Sequence, residues 1–210
     1  MKKVLIITTL MCVLINVPGW AQNSGIGIKG GLNLSSLTTD GSDDRNLNLG
    51  IHVGVFDKIP ISESFSFQPE LLYSAKGMRM NYDESLMADG DTNFNLHYLD
   101  LPLKLVYNLS DDFEFQFGPY VGYLIAAKVD TDAKFMDSFE IDSNSELDRE
   151  NFNTIDYGLT AGIGFDFNPL VVGANYNLGL NQVAKKGKAP EKVLNNAKNS
   201  VIQVYVGIKF

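Results

Sequence analysis

Two histidines, one cysteine and a generous supply of Ser, Asp and Glu are the groups through which this 210-residue chain could do chemistry. A nucleophilic site would need a Ser or Cys activated by His52 or His97, with the imidazole oriented by a carboxylate. Neither histidine has such partners at a defined spacing, and any such site would have to be gathered from distant loops. No catalytic residue is assigned. The acids Asp130, Asp132, Asp137, Glu140, Asp142, Glu146, Asp148 and Glu150 could hold Ca²⁺, yet they lack the Asp-x-Asp-x-Asp-Gly spacing of a calcium loop. They read as a solvated acidic loop, and no metal or cofactor is expected. Cys12 stands alone, in an apolar leader, after a Met11 too bulky for a lipid-attachment site. Without it the mature chain has no thiol, hence no disulfide and no Cys-metal site.

A second set of residues is more orderly. Lys29, Lys76, Lys104 and Lys209, with Glu70, Asp100, Glu114, Asp156 and Asp166, all fall on the polar phase of alternating apolar segments. Four cations against five anions is close to balance. Enclosed charges are costly unless paired. Eight of them, Lys29, Glu70, Lys76, Asp100, Lys104, Glu114, Asp156 and Asp166, are therefore expected to form a structural ion-pair network. Lys76, Asp156 and Lys209 are expected near the rims, in water.

The elements that must position these groups are strands. Eight segments alternate with a period of two: Gly25 to Leu37, Leu47 to Ile59, Phe65 to Gly77, His97 to Tyr107, Phe113 to Ile125, Ile155 to Phe167, Leu170 to Leu180 and Val201 to Phe210. Each has the ~9–11 residues that cross a bilayer at a tilt. The connections alternate as well. Pro60–Ser64, Asn108–Asp112 and Asn168–Pro169 are short, whereas Thr38–Asn46, Arg79–Asn95, Ala126–Thr154 and Asn181–Ser200 are long. Short turns on one side and long loops on the other are the pattern of outer-membrane barrels. Phe65, Phe67, Tyr107, Phe113, Phe115, Phe165, Phe167 and Phe210 lie beside the short turns or the C-terminus. Tyr73, Tyr123 and Tyr157 recur eight to ten residues further on, roughly 20–25 Å along the normal, which matches the spacing of two aromatic girdles.

The face opposite the apolar one carries Gly50, Gly54, Gly118, Gly122, Gly158, Gly162, Gly164, Gly173, Gly179 and Gly207, with Gln68, Gln116, Asn175, Asn177 and Gln203. Water would favour long charged side chains there; a crowded lumen of about eight strands favours residues without bulk. The apolar face is therefore assigned to lipid, against the alternative of a soluble barrel with its apolar face inside. Pro69, Pro102 and Pro119 interrupt strands, so each should mark a bulge or a break in the ladder.

Ahead of the barrel, Lys2 and Lys3 followed by the apolar run Val4–Val17, with small residues at Gly19 and Ala21, read as a secretory signal cleaved before Gln22. The domain plan is a signal peptide over residues 1–21 and a barrel over 22–210. The formal charge of -8 becomes -10 when the two leader lysines are set aside, which disfavours nucleic-acid binding. Lys185, Lys186, Lys188, Lys192 and Lys198 make the fourth loop basic against Glu191, and Pro190 could open a short helix over Glu191–Lys198. That loop is expected to face the acidic third loop or lipopolysaccharide phosphates.

Gly30-Gly31-Leu32-Asn33, Phe67-Gln68-Pro69-Glu70-Leu71-Leu72-Tyr73, Tyr98-Leu99-Asp100-Leu101-Pro102-Leu103, Gly118-Pro119-Tyr120-Val121-Gly122, Asp156-Tyr157-Gly158-Leu159 and Asn175-Tyr176-Asn177-Leu178-Gly179-Leu180 together resemble the PorT-like outer-membrane β-barrel family of Bacteroidota. The resemblance spans the mature chain. It implies an eight-stranded antiparallel up-and-down transmembrane barrel in which the three prolines are ordinary, and it supplies no activity. The last strand, with Val204, Val206, Ile208 and terminal Phe210, looks like an assembly signal, which implies recognition by the barrel-assembly machinery. The reading is a non-catalytic envelope barrel, structural or binding an extracellular ligand through its loops, in contact with outer-membrane lipids and lipopolysaccharide. A small porin is the alternative; it would need a wider barrel, for which Phe135, Phe139 and Ile141 hint at extra strands inside Ala126–Thr154. An accessory role in secretion is a further one.

Overall fold

The computed structural model of the chain describes residues 25–38, 47–83, 88–135, 139–146, 151–185 and 197–210. The expected signal segment, most of the first loop and much of the basic fourth loop lie outside these residues. Nine strands follow in order: β1 (Gly25–Thr38), β2 (Asn48–Pro60), β3 (Phe65–Asp83), β4 (Ala88–Asn108), β5 (Phe113–Phe135), β6 (Phe139–Glu146), β7 (Ile155–Asp166), β8 (Leu170–Gln182) and β9 (Lys198–Lys209). Every pairing is antiparallel. β1 pairs both β2 and β9, β4 pairs β5, and β5 pairs β7, so eight strands close on themselves and leave no edge in the wall. β6 pairs β5 alone and stands outside the closed ring.

The direction of burial is inverted relative to a soluble domain. Ile28, Leu32, Ile51, Val53, Val55, Leu99, Leu105, Phe117, Val121, Leu159, Val204 and Val206 are exposed on the outside, while Lys29, Lys76, Lys104, Glu70, Asp100, Asn33 and Gln203 are buried within. Only a hydrocarbon surrounding makes that arrangement favourable, and a closed barrel pairs the backbone of its wall within itself, with no open edge. The aromatic rim at the short-turn end is packed: Phe65 lies 5.1 Å from Tyr107 and Phe113 5.1 Å from Phe165, centroid to centroid. At the other border Tyr73 stacks on His97 at 5.9 Å, and its hydroxyl is 2.7 Å from His97 Nδ1.

The three prolines break the ladder without shifting it. The β2–β3 register runs Phe56↔Glu70 and resumes at Ile59↔Phe67, skipping Pro69. The β3–β4 register runs Leu72↔Asp100 and resumes at Pro69↔Leu103, skipping Pro102; β4–β5 runs Pro102↔Tyr120 and resumes at Leu105↔Phe117, skipping Pro119. Each proline lacks the N–H that would have reached the preceding strand, while its other side remains paired. A bulge does occur, but elsewhere: His97↔Ala126 is followed by Tyr98↔Leu124, which leaves Ile125 as an extra residue of β5.

Two expected loops are largely strand. β3 and β4 continue as a hairpin through Arg79–Asn95, paired from Gly77↔Asn95 to Asp83↔Asp89, and β5 and β6 pair from Lys128↔Glu146 to Phe135↔Phe139. β4 and β5 also pair along this stretch, so β3, β4, β5 and β6 form a four-stranded sheet beyond the barrel wall. The extra strand hinted at by Phe139 and Ile141 exists, yet it joins this projecting sheet and does not widen the barrel. The helix expected over Glu191–Lys198 lies mostly outside the described residues, and Lys198 itself opens β9.

Candidate functional site

The lumen is filled in layers. At the short-turn mouth, Lys58 pairs with Glu114 and lies 3.0 Å from Asp166, whose other oxygen is 2.6 Å from Lys209. Crevices lined by Lys58, Ser66, Asp112, Asp166 and Lys209 open this layer to water. One step deeper, Glu70 takes Lys29 at 2.6 Å and Lys104 at 3.0 Å, and Gln68 donates to it at 2.7 Å. Gln116 links the two layers, accepting from Lys104 at 3.0 Å and donating to Glu114 at 2.6 Å and to the Tyr205 hydroxyl at 2.8 Å. The Lys29 ammonium sits 4.4 Å over the Tyr205 ring, a cation–π contact away from water.

The next layer is neutral. Asn33 Nδ2 donates to Ser74 Oγ at 3.0 Å and to the Ala75 carbonyl at 2.7 Å. Its Oδ1 lies 2.8 Å from His52 Nδ1 and accepts from Gln203 at 3.0 Å. Gln203 registers with Asn175, and on β7 the buried Thr160 registers with Asn177. Above this belt Lys76 lies 2.8 Å from Asp100 and 3.5 Å from Asp156, between the rings of Tyr98 and Tyr120 at 4.8 and 4.9 Å. The outermost layer is apolar: Leu37, Leu96, Leu124, Ala127, Phe152, Val183, Ala184 and Ala197 form one buried cluster with Tyr98. Phe152 and Ala184 reach it from the third and fourth connections, held by a bridge between them.

Glycine lets the filling fit. At Gly31 a β-carbon would run into the backbone carbonyl of Val204, and at Gly54 into that of Leu71, so these inward positions have no room for a side chain.

All eight residues expected in the lumen network thus lie inside the barrel, in two clusters separated by the neutral belt. Lys76 and Asp156 are not near water, as the sequence suggested, but sealed beneath the apolar layer at 1% and 3% exposure. Phe152, Val183, Ala184 and Ala197, which close the barrel from above, lie where the sequence read as loop, and without the fold no periodicity marks them. Lys58 was also missed, although as an even-numbered residue of β2 it shares the inward phase of His52 and Phe56. The two histidines face opposite sides of the wall. His52 is buried in the belt, and His97 lies with Tyr73 on the outer side.

The projecting sheet has its own order. Cross-strand rows Arg79–Asn93–Asp130–Asn144, Asn81–Asp91–Asp132–Asp142 and Asp83–Asp89–Lys134–Glu140 share one face. The intervening rows in the register, Met78–Phe94–Val129–Ser145, Met80–Thr92–Thr131–Ser143 and Tyr82–Gly90–Ala133–Ile141, carry no charge.

Residues 20–185 match the family model of the outer membrane protein beta-barrel domain. No curated protein matches the chain. Among solved structures, it is similar to Ail, the attachment invasion locus protein of Yersinia pestis, at 14% identity and a TM-score of 0.44, over 90% of this chain and 100% of that one. Neisserial surface protein A is similar at 13% identity and a TM-score of 0.39, over 90% and 100%. OprG of Pseudomonas aeruginosa is similar at 13% identity and a TM-score of 0.34, over 89% and 96%. The greasy exterior, the polar filling and the family match lead to one statement: the chain belongs to the outer membrane protein beta-barrel domain family and is an integral β-barrel protein of the outer membrane.

Proposed function

We propose that this barrel conducts nothing and catalyses nothing, and that it acts through what it displays outside the cell: a structural or binding protein whose working part is the projecting sheet with its neighbouring loops. The filled lumen carries this reading. An open channel needs a continuous water path, and here two ion-pair clusters with an amide belt between them, then an apolar layer, block the axis. The eight lumen charges serve as structural pairs, because each carboxylate meets an ammonium. Purified protein in planar bilayers is expected to stay silent; steady single-channel openings would overturn the reading in favour of a small pore.

The finer placement rests on residues. The motifs around Pro69, Pro102 and Pro119 support membership of the PorT-like branch of Bacteroidota, without marking a role in secretion. Lys2, Lys3 and the apolar run to Val17 support export with removal of residues 1–21, which leaves 22–210 as the barrel domain. Val204, Val206, Ile208 and Phe210 are exposed on the outer side of β9, as a segment read by the barrel-assembly machinery would be. The acidic face of the projecting sheet would repel lipopolysaccharide phosphates, so a ligand held there would be cationic, while lipid contacts belong to the apolar wall.

A further inference from the structure

The two charged clusters of the lumen are unbalanced in opposite senses. In the lower one Lys29, Lys58, Lys104 and Lys209 meet Glu70, Glu114 and Asp166, an excess of one positive charge. That cluster reaches the mouth, where water and its anions can compensate it. In the upper one, among the described residues, a single ammonium, Lys76, serves both Asp100 and Asp156, an excess of one negative charge. This cluster is closed below by the neutral belt and above by the apolar layer. A carboxylate left uncompensated in such a place costs several kcal/mol (order of magnitude).

The geometry shows where the missing positive charge belongs. Asp156 Oδ2 is crowded: it takes Asn199 Nδ2 at 2.9 Å, the Tyr120 hydroxyl at 3.2 Å and Lys76 at 3.5 Å. Among the described residues, neither Asp156 Oδ1 nor Asn199 Oδ1 has a hydrogen-bond partner, although the two residues are 3% and 1% exposed. Two acceptors from hydrogen-bonded neighbours are thus buried beside a surplus negative charge, with no donor for either. Buried acceptors are rarely left so. A cation there would meet both oxygens and offset the surplus charge.

We propose that the upper lumen binds one monovalent alkali cation of the sodium type, with Asp156 Oδ1 and Asn199 Oδ1 among its ligands and enclosed water completing its oxygen shell. The donors are all oxygen, which suits a hard cation and excludes a soft metal. They bring one net negative charge, fewer than a divalent site of several carboxylates supplies, and among the described residues no cluster of three His, Cys, Asp or Glu fits a divalent metal. The cation is an internal part of the barrel and is independent of whatever the projecting sheet binds.

The test refolds the full processed barrel from urea into detergent micelles, in sodium chloride or in choline chloride at equal concentration. Equal chloride cancels any anion effect at the lower cluster. A cation bound only by the folded state raises the unfolding temperature saturably; the rise is expected in sodium and absent in choline. Crystals soaked in thallium(I) are expected to show an anomalous peak joining Asp156 and Asn199. Asp156→Asn should abolish both signals. Asn199→Leu keeps the charge and removes one ligand, so if the first variant does not assemble, weakened sodium dependence in the second still supports the site. Equal unfolding temperatures in the two salts with no thallium peak would overturn it. So would an infrared band of a protonated carboxyl that disappears in Asp156→Asn, because a proton would then neutralise the cluster.

Discussion

β5 obeys one alternation below Ile125 and the opposite one above it. Through the wall its odd-numbered residues, Phe115, Phe117, Val121, Tyr123 and Ile125, face outward, and its even-numbered Gln116, Tyr120 and Leu124 are buried. After the extra residue at the bulge, Ala127 is buried and Lys128 exposed. In β3 and β4 there is no bulge, and the residues change instead. Even positions are Glu70, Ser74, Lys76, Tyr98 and Asp100 in the wall, but Met78, Met80, Tyr82 and Phe94 in the projecting sheet. Both routes end in the same alternation: beyond the wall, the charged residues fall in one strand phase and the uncharged ones in the other. The period of a strand is set by its backbone, but which phase is apolar is set by the solvent outside it. Hydrocarbon surrounds the wall, so there the apolar phase is the outward one.

Inserting one alanine between Ala127 and Lys128 should break that comparison most severely. Because the side-chain period is two, it moves Lys128–Phe135 to the opposite face, so the pairing of β5 with β4 and β6 beyond the wall is expected to be lost while the wall below survives. Limited proteolysis would show new cleavage between Ala126 and Asn151 in a barrel that still resists at its core. Lys76→Met comes next, because it strands Asp100 and Asp156 together; a loss of about 3–5 kcal/mol is expected in urea unfolding from lipid. Val55→Arg tests the wall at mid-depth, with an expected cost of about 2–4 kcal/mol by the same measurement. Tyr73→Phe removes the hydroxyl that meets His97 at the membrane border and should cost about 0.5–1.5 kcal/mol. Asp132→Asn, on the charged face of the projecting sheet, should change stability by less than about 0.5 kcal/mol. If Val55→Arg proved as harmless as Asp132→Asn, the distinction between the two regions would fail.

Much of the barrel was legible because its signal is local. Alternation in segments such as Leu47–Ile59 and Ile155–Phe167 gives strand, face and approximate length without knowledge of any partner. The inward set Lys29, Glu70, Lys104, Glu114 and Asp166 followed from the same parity. The hairpin through Arg79–Asn95 was not legible as strand, because its polar odd and apolar even residues contradict the phase of the segments they extend. Lys76 and Asp156 were misplaced for a different reason. Depth along the axis depends on what closes the mouth, and the residues that close it lie in connections with no period at all.

The sequence by itself determined that this chain crosses a membrane as alternating strands with its apolar side outward, since that information repeats every two residues. Only the tertiary structure decided which charge meets which, that the lumen is sealed from above, and that Asp156 and Asn199 keep two oxygens without a donor among the described residues. Those facts depend on register between strands far apart in the chain. Lys76 and Asp156 are separated by 80 positions and meet only because the sheet closes.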